Sequence, residues 1–219
     1  MVPASQPWIR WSWVNSHIHL LRSDLWEHLQ LTLLAVGFGL LITFVLAALA
    51  RAWRPLEGAL LALTGTLYAV PSLALLALLV PFTGFTTLTA EIALVSYTLL
   101  ILLRNLLAGL DAVPGDVRDA ALGMGFSRWR TFTRVELPLA LPALFAGIRV
   151  AMVTTIGLVT VTSLIGEGGL GELLLDGFNR TFRTEEVVAA TLVVALALAT
   201  DLVLVAAERL LTPWTRRTA

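Results

Sequence analysis

Side chains able to do covalent or metal chemistry are few in this sequence, and they are poorly placed for it. Cys is absent, which removes disulfides, thiol nucleophiles and thiolate metal sites. Every basic side chain is Arg, with no Lys anywhere. A Walker-A phosphate loop needs a Lys on the nucleotide phosphates, so the chain is not a conventional P-loop ATPase. If ATP drives it, the ATP and Mg sit on another subunit, and this chain itself is expected to hold no cofactor. His17, His19 and His28 all lie near the start. His17 and His19 could pinch a metal, but no third ligand stands close, so solvated or interfacial histidines are expected and no metal site. No Ser-His-Asp or paired-carboxylate arrangement occurs either. The residues offer no catalytic constellation.

The elements that hold these residues are membrane spans. Hydrophobic residues make up 58% of 219 positions and charged residues 14%, where a soluble domain carries about 25% charge. The formal net charge is zero, so nothing points to nucleic acid. A hydrocarbon core of roughly 30 Å takes about 20 apolar residues of helix. Five segments meet that demand: about Leu29–Ala50, Gly58–Val80 with Pro71 inside it, Thr89–Leu110, Ala143–Ile165 and Val187–Leu211. The expected fold is all-α, with five transmembrane helices over residues 28–219. Residues 1–27 carry Trp8, Trp11, Trp13 and Trp26 among polar residues and read as an arm along one membrane surface. With no apolar core or small-residue cleavage site, a cleavable signal peptide is not expected.

Arg placement orients the spans. With the N-terminus outside and the C-terminus inside, the inner segments hold Arg51, Arg54, Arg118, Arg128, Arg130, Arg134, Arg209, Arg216 and Arg217. The outer segments hold Arg10, Arg22, Arg180 and Arg183. The positive-inside rule selects this orientation over its inverse, and an odd number of spans agrees with termini on opposite sides.

The longest hydrophilic connection between spans, residues 111–140, lies on the inner side. Asp116 is placed to cap a short helix, with Asp119 at its third position in the manner of a capping box. Val117, Ala120, Ala121 and Met124 recur at helical spacing as one apolar stripe. Gly125 sits where a left-handed C-cap would stop that helix. Ser127 then starts a second short helix carrying Trp129 and Phe132, which Pro138 ends. A short amphipathic helix of this kind suits a partner's groove, or it lies as an ordinary loop on the membrane surface.

The same stretch resembles the EAA motif of importer permeases in the ATP-binding-cassette superfamily. That pattern is E-A-A, three residues, G, nine residues, I, any residue, L-P. Here it reads Asp119-Ala120-Ala121, Gly125, Val135, Leu137 and Pro138 at those spacings, with Asp for Glu and Val for Ile. The resemblance implies the type I importer fold of the methionine permeases and a bacterial inner-membrane location. It implies that this loop is the coupling helix fitting a cleft on a separate ATPase subunit. Two permeases, as copies or paralogues, would face each other across the substrate path. Val70 to Leu76, Val135 to Pro142 and Leu164 to Gly171 look like the osmoprotectant branch, which imports glycine betaine, carnitine and choline. The chain has no room for a fused binding domain, so a separate extracellular binding protein is implied. The same scaffold moving methionine or ergothioneine is the alternative, and a non-transporting membrane anchor is the alternative of another class.

Further residues could line a path. Pro71, followed by Ser72, removes a helical hydrogen bond and should kink the second span, either to line the path or as a packing kink. Thr155, Thr162 and the glycines Gly166, Gly168, Gly169 and Gly171 suit a pathway lining or close helix approach. Arg149 and Asp201 reach similar depths in the fourth and fifth spans and are expected to pair, as a structural ion pair or a substrate contact. No aromatic cage for a quaternary ammonium group is evident, so tight selection is expected in the binding protein.

Overall fold

The computed structural model describes residues 7–214. Arg216 and Arg217 of the orientation argument, and the first six residues of the expected arm, lie outside them. In chain order the helices are α1 (Trp11–Ser16), α2 (Ile18–Ala52), α3 (Arg54–Ala69), α4 (Ser72–Thr83), α5 (Thr87–Asp111), α6 (Gly115–Gly123), α7 (Arg128–Thr131), α8 (Leu137–Thr162), α9 (Leu170–Arg180) and α10 (Arg183–Leu211). A π turn, Phe132–Glu136, joins α7 to α8, and a 3₁₀ turn, Ser163–Ile165, follows α8.

Four helical runs are long and apolar enough to cross a membrane: Ile18–Ala52, Thr87–Asp111, Arg128–Ile165 and Arg183–Leu211. The second expected span, Gly58–Val80, exists only as the pair α3 and α4, bent by 94°. Pro71 does more than kink it. The residue before a proline avoids helical backbone, and here Val70 (ψ 129°) and Pro71 (ψ 134°) are both extended. Pro71 thereby becomes the N-cap of a new helix pointing elsewhere.

The expected arm is likewise only partly separate. The boundary at residue 27 falls inside α2, whose 35 residues run about 50 Å, well beyond a hydrocarbon core. Its first turns exceed the length a crossing needs, so polar residues there do not end the helix. The short α1 packs back on the start of α10. Trp13 stacks with His17 at 4.4 Å and meets the Phe182 edge at 5.7 Å, while the Arg10 amide donates to Thr184 Oγ1.

The core runs along α5 and α8, which pack against each other more than any other pair, with α2 closing one side. Leu102, Leu103, Leu106 and Leu110 of α5 are fully buried there. Small residues permit the crossings: a Cβ on Gly109 would lie 2.8 Å from that of Ala143, and one on Gly147 would lie 2.7 Å from that of Asn105. In lipid no hydrophobic force draws helices together, so such close backbone approach carries the association. By contrast α10 buries only Thr184, Glu185 and Ala189, leaving its apolar length to face lipid or another subunit.

Candidate functional site

The inner connection folds as a helix–turn–helix fixed by its backbone. Pro114, not Asp116, occupies the N-cap of α6. Proline's preset φ starts the helix, and Asp116 falls in the first turn, where its charge meets the positive end of the helix dipole. No capping box with Asp119 forms, and Asp119 is exposed. The helix stops as the sequence reading expects at Gly125, whose φ is +83°. The Phe126 amide donates to the Ala121 carbonyl at 3.1 Å and the Gly125 amide to Leu122 at 2.9 Å, the paired bonds of a Schellman end. Ser127 caps α7, its hydroxyl accepting from the Arg130 amide at 3.3 Å.

The expected apolar stripe divides between two faces. Ala121 is buried against the protein, whereas Ala120 and Met124 point outward, Met124 at 71% exposure. With Leu122 and Trp129, also exposed, they form an apolar surface on a polar loop. Pro138 does not end the second helix. It sits in the first turn of α8, and the π turn before it widens the backbone. Leu137 donates to the Phe132 carbonyl five residues back, and the carbonyl that Pro138 would crowd is moved aside. Val135 and Leu137 are half-buried at this junction, with Leu137 packed against the core. Both therefore help to position the loop.

Two arginines tie this loop to the spans, a role the sequence did not reveal. Arg118 of α6 donates to the Leu110 carbonyl at the end of α5 and pairs with Glu136 in the π turn at 2.8 Å. Arg51 at the end of α2 pairs with Asp111 at the end of α5, also at 2.8 Å. A displacement of α6 therefore pulls on α5 and α8 together.

The residues marked for a path part company. Pro71 is exposed and Ser72 half-buried at the 94° break, and Gly166 (φ +76°) is exposed. Thr155 and Thr162 are buried within the chain, at 1% and 2% exposure. Gly168, Gly169 and Gly171 are packing glycines: a Cβ on them would lie 2.6 Å from Ser163 Cβ, 2.7 Å from the His28 nitrogen and 2.6 Å from Thr160 Cα. The three glycines serve close backbone approach. At the break the Tyr97 hydroxyl donates to the Val70 carbonyl at 2.5 Å, and Tyr68 meets Tyr97 edge-on at 6.0 Å. This pair holds both tyrosines of the chain, an aromatic contact that separation in sequence conceals.

Arg149 and Asp201 join by two bonds, Nε to Oδ1 at 2.7 Å and Nη2 to Oδ2 at 2.9 Å. The forked pair links α8 to α10 on a half-exposed face. His28 departs from the expected solvated histidine. It is fully buried, and its Nε2–H donates to the Ile156 carbonyl at 2.9 Å. Burial follows from the loop before α9, which folds over α2 so that the Gly169 amide reaches Glu27 at 3.1 Å. The carboxyl of Glu172, in the first turn of α9, is raised above its ordinary range, first by burial and then by Glu27 and Asp24. Among the described residues no group of three potential ligands could hold a metal.

Comparison with known proteins decides what this arrangement is. Residues 31–217 match the family described as binding-protein-dependent transport system inner membrane component. The chain belongs to that family. It is 34% identical over 188 residues to the glycine betaine/carnitine/choline transport system permease protein OpuCB of Bacillus subtilis, covering 85% of this chain and 86% of the relative. It is 35% identical over 198 residues to the osmoprotectant import permease protein OsmW of Salmonella typhimurium, covering 88% and 92%. The fold matches that of an inward-facing MetNI methionine ABC transporter chain with a TM-score of 0.78 at 23% identity, over 90% of this chain and 98% of that one. The protein is therefore a multi-pass membrane permease of the importer class, with the type I importer fold.

Proposed function

We propose that this permease forms half of the path by which quaternary ammonium solutes such as glycine betaine, carnitine or choline enter the cell. A second copy or a related permease supplies the other half. ATP and Mg bind a separate ATPase subunit, and a separate binding protein delivers the solute from outside. One observation carries the coupling: α6 ends in a Schellman turn, presents Ala120, Leu122 and Met124 outward, and is tied through Arg118 to α5 and to the start of α8. An exposed helix linked rigidly to two spans converts a partner's movement into span movement. The N-terminus lies outside and the loop at residues 111–140 inside, as the Arg distribution favours.

The substrate class rests on the relatives, and the Tyr68–Tyr97 pair at the broken span adds one aromatic face to it. Two rings do not make a cage, so passing solute should be held weakly. In reconstituted membranes with the ATPase, the cognate binding protein loaded with betaine or choline should raise ATP hydrolysis. The permease–ATPase complex alone should bind neither solute measurably in calorimetry. Stimulation only by a methionine-loaded binding protein would remove the osmoprotectant reading and leave the importer standing. Cys at Gly84 should react with an impermeant thiol reagent in intact cells, and Cys at Trp129 only after permeabilisation.

A further inference from the structure

Arg51, Arg54, Arg118 and Arg128 converge on one cavity of about 540 Å³ between the inner end of α2, the start of α3 and the coupling loop. Glu136 is the one acidic residue in its lining. Arg118 is matched by Glu136 and Arg51 by Asp111, just outside the lining. Arg54 and Arg128 have no ion pair among the described residues. Two positive charges thus face the cavity uncompensated. Part of its wall is apolar: Ala48 and Ala52 from the last turns of the first span, and Phe132 from the π turn. Leu122 and Trp129 of the coupling loop line it too, and Trp53, between the lining residues Ala52 and Arg54, is 63% exposed, as indoles are at headgroup level.

We propose that this cavity binds the phosphate headgroup of an anionic phospholipid from the cytoplasmic leaflet, its acyl chains lying along α2. Planar guanidinium forks match phosphate oxygens, and basic pockets between spans on the cytoplasmic side are built for such headgroups. The charge excess selects an anion, and the wall made of span ends sets the opening at the level of lipid phosphates. The occupant would touch the end of the first span, the start of the broken second span and the coupling loop at once. This inference rests on the inner placement of the loop in the proposed function, but not on the identity of the solute.

The test uses the detergent-purified permease–ATPase complex, stripped of lipid, without nucleotide or solute. Native mass spectrometry and thermal unfolding are followed as phosphatidylglycerol, phosphatidylcholine or inorganic phosphate is added. Phosphatidylglycerol should bind and raise the unfolding temperature, while phosphatidylcholine should not. The R54A/R128A double variant should weaken phosphatidylglycerol binding about thirtyfold. R134A removes a nearby exposed charge outside the lining and should leave binding unchanged. Equal binding of both lipids, or an unchanged double variant, would overturn the proposal. An equal response to inorganic phosphate would make the site one for free anions and reject the lipid. Loss of the ATPase from the double variant in every lipid would assign the cavity to the subunit interface instead. A failure of solute-stimulated hydrolysis leaves these binding measurements intact, so the two readings fail separately.

Discussion

Two loops, residues 168–171 at the end read as outer and α6 with its turn at the end read as inner, use glycine in opposite ways. At the outer end Gly168, Gly169 and Gly171 are filled against Ser163, α2 and Thr160, with backbone and Cβ atoms as the neighbours. At the inner end nothing lies within 4 Å of a Cβ on Gly115, Gly123 or Gly125. The first loop is held by close backbone contacts, whereas the second has open space around its glycines and is tied to the spans by the Arg118–Glu136 pair. Long ion pairs can lengthen and re-form; interlocked backbone cannot. If the proposed ATPase acts on α6, movement enters at the loop tied by an ion pair and not at the one held by close backbone contact.

The sharpest way to break the comparison is to add a methyl group at each end. Gly169→Ala puts a Cβ 2.7 Å from the His28 nitrogen at a φ of +49°, so both the clash and the backbone oppose it. It should cost about 3 kcal/mol or more and release α9 from α2, read as lower unfolding temperature and poor recovery from the membrane. Gly123→Ala, at the helical end of α6, should be neutral or slightly stabilising. Equal damage from both would show that the two ends do not differ.

Next in size is the inner turn itself. Gly125 has room for a side chain but the wrong φ for one, so Gly125→Val should cost about 1–2 kcal/mol locally by unwinding the Schellman end. The protein should still insert, with α9 and the outer end unchanged to limited proteolysis. ATPase recovery or solute uptake should be lost. Normal uptake with normal complex recovery would show that α6 does not couple.

What was legible in the sequence follows from which features are local. Apolar length announces the spans, and the spacing from Ala120 to Gly125 announces the turn, because each depends on neighbours within a few residues. Counting from span ends places Arg149 and Asp201 at one depth, although the two-bond contact is visible only in the structure. The 94° break exceeded the expected kink because Val70 follows Pro71 out of helical backbone, a coupled effect of two residues. Pro138 misled for the converse reason: a π turn upstream absorbed the clash that normally stops a helix. The burial of His28 was illegible, since only the return of the chain at residue 169 covers it, and the glycines left close approach and pathway lining open until their neighbours were seen.

Between the two ends, the Arg149–Asp201 pair tests whether α10 is fastened or merely adjacent. With only three buried residues, α10 depends on few polar contacts, so this fork should matter to its seating. Either single change, Arg149→Leu or Asp201→Leu, strands a charge on a membrane-facing helix and should reduce assembly. The double Arg149→Leu/Asp201→Leu variant should assemble better than either single one. Damage in the double equal to the sum of the two would reject a mutual role.

The smallest effect belongs to the outer end and is set by pH. Glu172 lies near Glu27, Asp24 and Glu167, and its carboxyl titrates above its ordinary range through burial and those like charges. The folded outer end therefore holds a proton that the unfolded chain releases earlier. Its stabilising contribution is fully present below the unfolded value and falls as pH rises through the folded one. Acidification from neutrality toward the ordinary carboxylate range should thus tighten α9 on α2, while Glu172→Gln should make that tightening independent of this group. The residue as a whole is exposed and its carboxyl only partly shielded, so the gain should stay below about 1 kcal/mol. Hydrogen exchange of the α9 amides across that range is the suitable measurement, because global unfolding would hide so local a change. Protection that falls on acidification, or a slope unaltered in Glu172→Gln, would remove Glu172 from the seating of the outer loop and leave its glycines to account for it alone.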